Sequence, residues 1–148
     1  MRRLRYTFDF SDSKMMAVLS QAELLVTRSQ LSDLLKKEED SQQQPCDDKT
    51  LAAFLNGLIN ENRGKKEGPQ RELEDSLNNN IIFTKLKIAL DLRAEDVLRI
   101  LALADFELSK HELSAFFRKP SHKHYRECQD QILRNFLHGL QREYRDGG

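Results

Sequence analysis

The feature that most constrains this chain is an internal repeat. At an offset of 82 residues, residues 4–63 align with residues 86–145 without a gap, and 16 of the 60 aligned pairs are identical. Composition alone would give about four identities, and self-similarity at a fixed offset is typical of duplicated structure. We therefore predict two tandem, pseudo-symmetric repeats, called copy one and copy two.

Each copy has the sequence patterns of about four helices. The fourth pattern is the clearest, because "LAAFLNGL" and "LRNFLHGL" place apolar residues at i, i+3, i+4 and i+7, one face of a helix. Thr27 and Ser109 are expected N-caps of the third helices, and Pro120 is expected to end the third helix of copy two. The approximate helix bounds expected in the two copies are 2–9 and 80–91, 12–22 and 94–104, 28–37 and 110–119, and 47–62 and 129–144. No segment alternates long enough to predict a strand, so the expected fold class is all-α.

The offset also predicts the domain boundaries. Residues 1–63 form helical repeat one, 64–77 a linker and 78–146 helical repeat two. The linker is rich in glycine, proline and charge, with a helical turn expected at 71–77, and the three asparagines that follow it are expected to cap the next helix. Met1 aligns with Phe83, so repeat one is expected to be shortened at its N-terminus.

Several identities between the copies predict structural roles. A glycine within a helix costs roughly 1 kcal/mol relative to alanine, so a glycine kept in both fourth helices indicates close approach of another backbone. An aspartate after the first helix and an arginine at the end of the fourth predict an ion pair or hydrogen-bond network within each copy. The residues assigned these structural roles are Asp9, Asp91, Arg63, Arg145, Gly57 and Gly139.

Charge and composition exclude some functions. The 24 Lys and Arg residues balance the 24 Asp and Glu residues, so any nucleic-acid or membrane binding would need a local patch. No apolar run approaches the roughly 20 residues that span a bilayer, and the basic start lacks the apolar core of a signal peptide. With only two cysteines, these features predict a cytoplasmic protein without a membrane partner.

The second and third helices of each copy resemble a helix-turn-helix. In that motif the N-terminal polar residues of the second helix meet base edges, and Arg and Gln are effective base readers. The position of the usual turn glycine holds Leu25 or Glu107, so the turn is expected to differ.

A basic segment follows the third helix of copy two. Residues 116–126, "FFRKPSHKHYR", carry four Lys or Arg and two His without an acid, interleaved with three aromatics that could stack bases. Phe116 and Phe117 align with leucines and could instead belong to the core, with the charges simply solvated. With the helix-turn-helix-like residues, the candidate nucleic-acid-binding residues are Arg28, Gln30, Lys110, His111, Arg118, Lys119, Lys123, His124 and Arg126.

The same region was considered as a metal or catalytic site. The spacing of His111, His122, His124 and Cys128 matches no regular zinc pattern, and only the cysteine has an identical counterpart, Cys46, in copy one. Each cysteine precedes a helix start, where a reactive thiol is an alternative to a semi-buried apolar role. No catalytic constellation and no cofactor motif stand out, so we predict no metal, no cofactor and no enzymatic activity.

Four strings carry a resemblance to a known family. "LNNNIIFTKLKIALDL", "SKHELSAFFRK", "YRECQDQILRNFLHGL" and "RGKKEGPQ" resemble the YehS-like family of small bacterial proteins, and the match covers nearly the whole chain. The resemblance implies a duplicated helical domain in a bacterial cytosol, and it implies no particular activity.

The sequence thus leaves three functional hypotheses. The first is a small non-enzymatic binding or regulatory protein that binds nucleic acid through the helix-turn-helix-like unit and the basic segment of copy two. The second is a protein–protein interaction module, which would expose a contiguous apolar patch. The third is an enzyme without a recognisable motif, which would need a concave pocket with convergent polar groups.

Overall fold

The computed structural model describes residues 2–33, 48–63 and 77–146. The chain divides into two compact units, Met1–Leu77 (unit one) and Asn78–Gly148 (unit two). No described residue lies in a β-strand, which confirms the all-α prediction. Most of the predicted linker and its helical turn lie outside the described residues.

The described residues of unit one form four helical segments. The helices of unit one are α1 (Arg2–Phe8), α2 (Asp12–Gln21), α3 (described over 28–33) and α4 (Asp48–Arg63). Helices α2 and α4 pack against each other, and their facing side chains are buried. The apolar core between these two helices consists of Met15, Val18, Leu19, Phe54, Leu55 and Leu58.

Unit two has the same order of helices, and its last helix leads into a short π-helical turn. Its elements are α5 (Asn79–Ala89), α6 (Ala94–Leu103), α7 (Lys110–Phe116), α8 (Asp130–Gln141) and the π-helical turn Arg142–Asp146. Phe83 of α5 lies at the centre of the core, with its ring centroid 4.5 Å from that of Phe136 and 5.1 Å from that of Phe117. Leu133, Phe136 and Leu140 are buried along one face of α8, as the apolar spacing predicts.

The glycines of the fourth helices lie where two helix backbones meet. A Cβ atom added to Gly57 would overlap the carbonyl oxygen of Val18, and one added to Gly139 would overlap that of Ile100. Val18 and Ile100 are themselves related by the 82-residue offset. Each unit therefore has the close backbone approach expected from the sequence, at the same point of the same helix pair.

The first two helices of each unit end in the same type of turn. Asp9, Glu23, Asp91 and Asp105 have φ angles of 54°, 63°, 52° and 57°, in the left-handed region. After α1, the N–H of Phe10 donates to the carbonyl of Arg5 at 3.0 Å, and after α5 the N–H of Leu92 donates to that of Lys87 at 3.0 Å. This is the Schellman pattern of helix termination. Asp9 and Asp91 therefore have a backbone role in ending the helices, which their sequence pattern does not indicate.

The third helices begin with the expected caps. The Ser109 hydroxyl accepts from the N–H of Glu112 at 3.0 Å, and the Glu112 carboxylate accepts from the N–H of Ser109 at 3.3 Å. In unit one, Thr27 and Gln30 exchange the corresponding bonds at 3.1 and 2.8 Å. These capping boxes fix where both helices start.

Three predicted helix ends in unit two are wrong. Helix α7 ends at Phe116 rather than near residue 119, because the carbonyl of Ala115 accepts from the N–H of Arg126 and that of Phe116 accepts from the side chain of Asn80. Helix α5 ends at Ala89, before the left-handed Asp91, and the α-helical part of α8 ends at Gln141, where the π-helical turn begins. No described helix is long and apolar enough to cross a membrane.

Candidate functional site

The loop after α7 folds back over that helix and encloses a pocket of about 550 Å³. The basic segment, residues 116–126, forms most of the pocket lining, and α7 forms the rest. We call this pocket the basic pocket. Its lining residues are His111, Glu112, Ala115, Phe116, Arg118, Lys123, His124, Tyr125 and Arg126.

Asn80, at the start of α5, anchors this loop. Its side-chain nitrogen donates to the carbonyls of Phe116 at 3.1 Å and Arg126 at 2.8 Å, and its side-chain oxygen accepts from the N–H of Cys128 at 2.8 Å. Asn80 is buried, so these bonds satisfy groups that water cannot reach. One side chain thus ties both ends of the loop to α5.

The neighbouring asparagines support the same junction. Asn79 donates to the carbonyl of Cys128 at 3.0 Å and to the carboxylate of Asp130 at 2.7 Å. Asn78 is the N-cap of α5 and accepts from the N–H of Ile81 at 2.9 Å. Helix capping by this run is predicted from its sequence, whereas the loop anchor is not. The one available signal was that three asparagines exceed what a single cap needs.

The loop also has internal order. The N–H of His124 donates to Nδ1 of His122 at 3.0 Å, and the N–H of Tyr125 donates to the carbonyl of His122 at 3.0 Å. Arg118 places Nη1 3.2 Å from Nε2 of His122. A loop held in this way presents its side chains in a preformed arrangement, which lowers the entropic cost of binding.

The pocket lining is dominated by positive charge. Arg118, Lys123 and Arg126 contribute three permanent cations, and Glu112 is the single carboxylate in the lining. The arrangement is suited to binding an anion.

The structure brings five of the nine candidate nucleic-acid-binding residues into this pocket. The lining includes His111, Arg118, Lys123, His124 and Arg126. Lys119 lies in the same loop, exposed and outside the lining.

Lys110 is directed to another helix. Its ammonium group lies 3.2 Å from the carboxylate of Glu95 on α6, and both side chains are about two-thirds exposed. In unit one, the equivalent Arg28 donates to the hydroxyl of Ser13 at 3.0 Å. Gln30 takes part in the α3 capping box through its side-chain oxygen. Three of the residues expected to contact bases from the third helices are therefore engaged within their own units.

The connection between α6 and α7 departs from a helix-turn-helix. It comprises the six residues 104–109, with Asp105 in the left-handed region, whereas the usual turn has three or four residues. Helix α7 itself has only seven residues. This geometry does not reproduce the recognition-helix arrangement suggested by the sequence pattern.

The two phenylalanines of the basic segment belong to the hydrophobic core. Phe116 is buried and stacks on Phe83 with ring centroids 6.4 Å apart, and Phe117 meets the same ring edge-on. Tyr125 is half-buried in the pocket lining. Of the three aromatics that could stack bases, Phe116 and Tyr125 line the pocket, and Phe116 is buried in the core, which leaves Tyr125 as the candidate for stacking a base.

Cys128 has the environment of a structural thiol. The residue is buried, and burial, followed by the nearby Asp130 carboxylate, raises the pKa of its thiol from 9.0 to about 11. The thiol is then protonated at neutral pH, which disfavours a nucleophilic role. Cys46 lies outside the described residues. No group of three or more His, Cys, Asp or Glu side chains in the described ranges is placed to hold a metal ion.

The predicted pairing of Asp9 with Arg63 and of Asp91 with Arg145 remains a prediction. The side chain of Arg63 lies outside the described residues. Glu61 and Glu143, which are also identical between the copies, form ion pairs from the end of the fourth helix to the second. The distances are 2.5 Å between Lys14 Nζ and Glu61 Oε1 and 2.8 Å between Arg99 Nη1 and Glu143 Oε2.

Comparison with known proteins agrees with the duplicated architecture. The model of a family described as "Protein of unknown function (DUF1456)" matches residues 1–64 and 79–146. The uncharacterised protein YehS of Escherichia coli (strain K12) is 42% identical over 141 residues, which covers 95% of this chain and 90% of the relative. No solved structure shows significant similarity to the chain. The resemblance found in the sequence is thereby confirmed, and the chain belongs to the DUF1456 family of YehS-like proteins.

Proposed function

We propose that this protein is a non-enzymatic, cytoplasmic nucleic-acid-binding protein that binds single-stranded DNA or RNA through the basic pocket of unit two. The supporting observation is the convergence of Arg118, Lys123 and Arg126 around Tyr125 in one concave site. Cations that hold phosphates beside an aromatic ring that stacks a base are the usual means of binding single strands. The chain as a whole carries no net charge, so binding depends on this local concentration.

A single strand is favoured over a duplex by the geometry of the third helices. Duplex recognition by a helix-turn-helix needs side chains at the helix N-terminus to enter the major groove. Here Lys110 pairs with Glu95, and the connection to α7 is longer than the motif requires. An unstacked base, by contrast, can enter a pocket of this kind.

The protein-interaction alternative has one observation in its favour. Leu25 is 81% exposed, and Tyr6 and Tyr144 are also exposed large side chains in the described part of the chain. Scattered apolar side chains are normal on protein surfaces, and an interface needs a contiguous patch. This alternative is the outcome to expect if nucleic-acid binding fails.

The decisive experiment removes the three cations of the basic pocket. Arg118, Lys123 and Arg126 are changed together to glutamine, and binding to mixed-sequence single-stranded DNA and RNA is measured at about 50 and about 200 mM salt. If all three contact phosphates, the slope of log affinity against log salt should fall by about two, because each contact to a single strand contributes about 0.7. Retained folding is checked by thermal denaturation.

The matched control removes the same charge elsewhere in unit two. Arg93, Arg134 and Arg142 are exposed and lie outside the pocket lining. Their triple change to glutamine should reduce binding much less than the pocket variant. Equal losses in both variants, or no binding by the parent protein at low salt, would contradict the proposal.

A further inference from the structure

We propose that the basic pocket takes a phosphate monoester, the group found at the end of a nucleic-acid strand or on a free mononucleotide. The inference rests on the proposed function and specifies which part of the ligand the pocket selects. The protein would then bind the phosphorylated end of a strand in preference to the internal phosphates of the strand.

Charge balance favours a monoester over an internal diester. The three Lys and Arg side chains and the one carboxylate of the lining give a formal charge of two positive. A phosphate monoester carries about −1.5 to −2 at neutral pH. An internal diester carries a single negative charge. A dianion therefore matches the lining more closely.

The guanidinium group of Arg118 has several N–H donors that a phosphate monoester could accept from. Its Nε atom is buried and donates no hydrogen bond within the described part of the chain, while Nη1 approaches His122. A buried N–H without an acceptor is costly, so a reorientation that lets Arg118 share an anion through two donors would be favourable. A monoester has three terminal oxygens and can accept from this fork while still reaching Lys123 or Arg126. A diester offers only two.

The size of the pocket suits a nucleotide-sized ligand. Its volume of about 550 Å³ lies within the roughly 300–1,000 Å³ typical of small-molecule sites. Tyr125 lines the same pocket and could stack the base attached to the bound phosphate. Because Asn80 fixes both ends of the loop, the phosphate-binding and base-stacking groups keep their spacing.

The test compares oligonucleotides that differ only at their ends. Single-stranded DNA and RNA of one sequence carry a phosphate at neither end, at the 5′ end or at the 3′ end, and a mononucleotide is compared with its nucleoside. A phosphate at one end should tighten binding about tenfold or more, since charge-assisted hydrogen bonds contribute on this scale. The mononucleotide should likewise bind more tightly than the nucleoside.

A conservative variant separates the role of Arg118 from its charge. Arg118→Lys keeps the positive charge and removes the planar pair of donors. The ratio of the affinities for the phosphorylated and unphosphorylated strands should fall about tenfold, because the phosphorylated strand loses the paired donors as well as the contact that both strands share. Lys110→Gln, which removes a cation that pairs with Glu95 outside the lining, should leave the preference unchanged.

The outcomes distinguish this inference from the proposed function. Equal, salt-dependent binding of all oligonucleotides would overturn the monoester inference and leave nucleic-acid binding intact. Binding of the mononucleotide without any oligonucleotide would support the inference and overturn the proposed function. No binding of any of these ligands at low salt would overturn both.

Discussion

Units one and two have the same helical frame, but they differ in what is attached to it. Both have the glycine crossing between the second and fourth helices, the left-handed turns after the first two helices and the capping box of the third. These features recur at residues related by the 82-residue offset. The frame has therefore been kept through duplication as a set of backbone contacts.

The cations that line the basic pocket are only partly matched in the sequence of copy one. Arg118, Lys123 and Arg126 align with Lys36, Ser41 and Gln44, so copy one keeps a cation at one of the three positions. The helical frame and the candidate site can therefore vary independently of each other.

The strongest test of the common frame is alanine at the two glycines. Gly57→Ala and Gly139→Ala should each destabilise their unit by about 3 kcal/mol, because the added methyl group meets a backbone carbonyl that cannot move without separating two helices. The measurement is urea denaturation followed by hydrogen exchange resolved along the chain. An alanine at the exposed Gln131 of α8 is the control and should change stability by less than about 0.5 kcal/mol. A large loss of stability in only one unit would show that the two units do not share this packing constraint.

Cys128 should react slowly with alkylating reagents. Because burial raises the pKa of Cys128 from 9.0 to about 11, its alkylation at about pH 8 should be about a hundredfold slower in the folded protein than in the unfolded chain. Peptide mapping after timed alkylation measures both rates.

The same pKa predicts a dependence of stability on pH. The folded state favours the protonated thiol, so this contribution is complete below about pH 9 and is lost as pH rises towards 11. A Cys128→Ala variant should lose this part of the alkaline destabilisation. Rapid alkylation of Cys128 in the folded protein would show that the thiol is not sequestered.

Asn80→Ala should destabilise unit two and leave the stability of unit one unchanged. The substitution leaves the N–H of Cys128 and the carbonyls of Phe116 and Arg126 without their partner, a loss of about 2 kcal/mol. It should also weaken any ligand binding at the basic pocket. Asn78→Ala, which removes only the cap of α5, should cost about 1 kcal/mol and preserve the pocket. Equal effects of the two variants on binding would argue against a loop anchor.

The smallest expected effect concerns the ion pairs of the fourth helices. Glu61→Gln and Glu143→Gln should each cost about 0.5 kcal/mol, because both pairs are partly exposed and screened by salt. The two losses in the free energy of unfolding should be equal, although the partners, Lys14 and Arg99, occupy different positions of the second helix. Thermal denaturation at low and high salt tests this, and a salt-independent loss would indicate a packing role.

The frame could be predicted from sequence because its determinants are local or repeated. The apolar spacing of the fourth helices, the caps at Thr27 and Ser109, and a glycine kept in both copies are all visible along the chain. The basic character of residues 116–126 was equally visible. Each of these signals depends on residues a few positions apart or on the fixed offset.

The arrangement of the site could not be predicted, because it depends on contacts distant in sequence. Asn80 bonds to groups 36 to 48 residues away, and these bonds decide where α7 ends and how the loop returns. Charge alone could not distinguish Arg118, which lines the pocket, from Lys119, which does not. The backbone angles of Asp9 and Asp91 show a turn requirement that composition does not reveal, and the ion pair expected from their identity stays a prediction.

The four left-handed turn positions have a consequence for engineering. A left-handed conformation costs a residue with a side chain roughly 1–2 kcal/mol, less for aspartate than for most others and nothing for glycine. Glu23 occupies such a position with a long side chain, where copy two has Asp105. Glycine or asparagine at Glu23 would relieve this strain without touching the core or the candidate site. Substitutions at these helix-terminal positions could therefore raise the thermal stability of the protein.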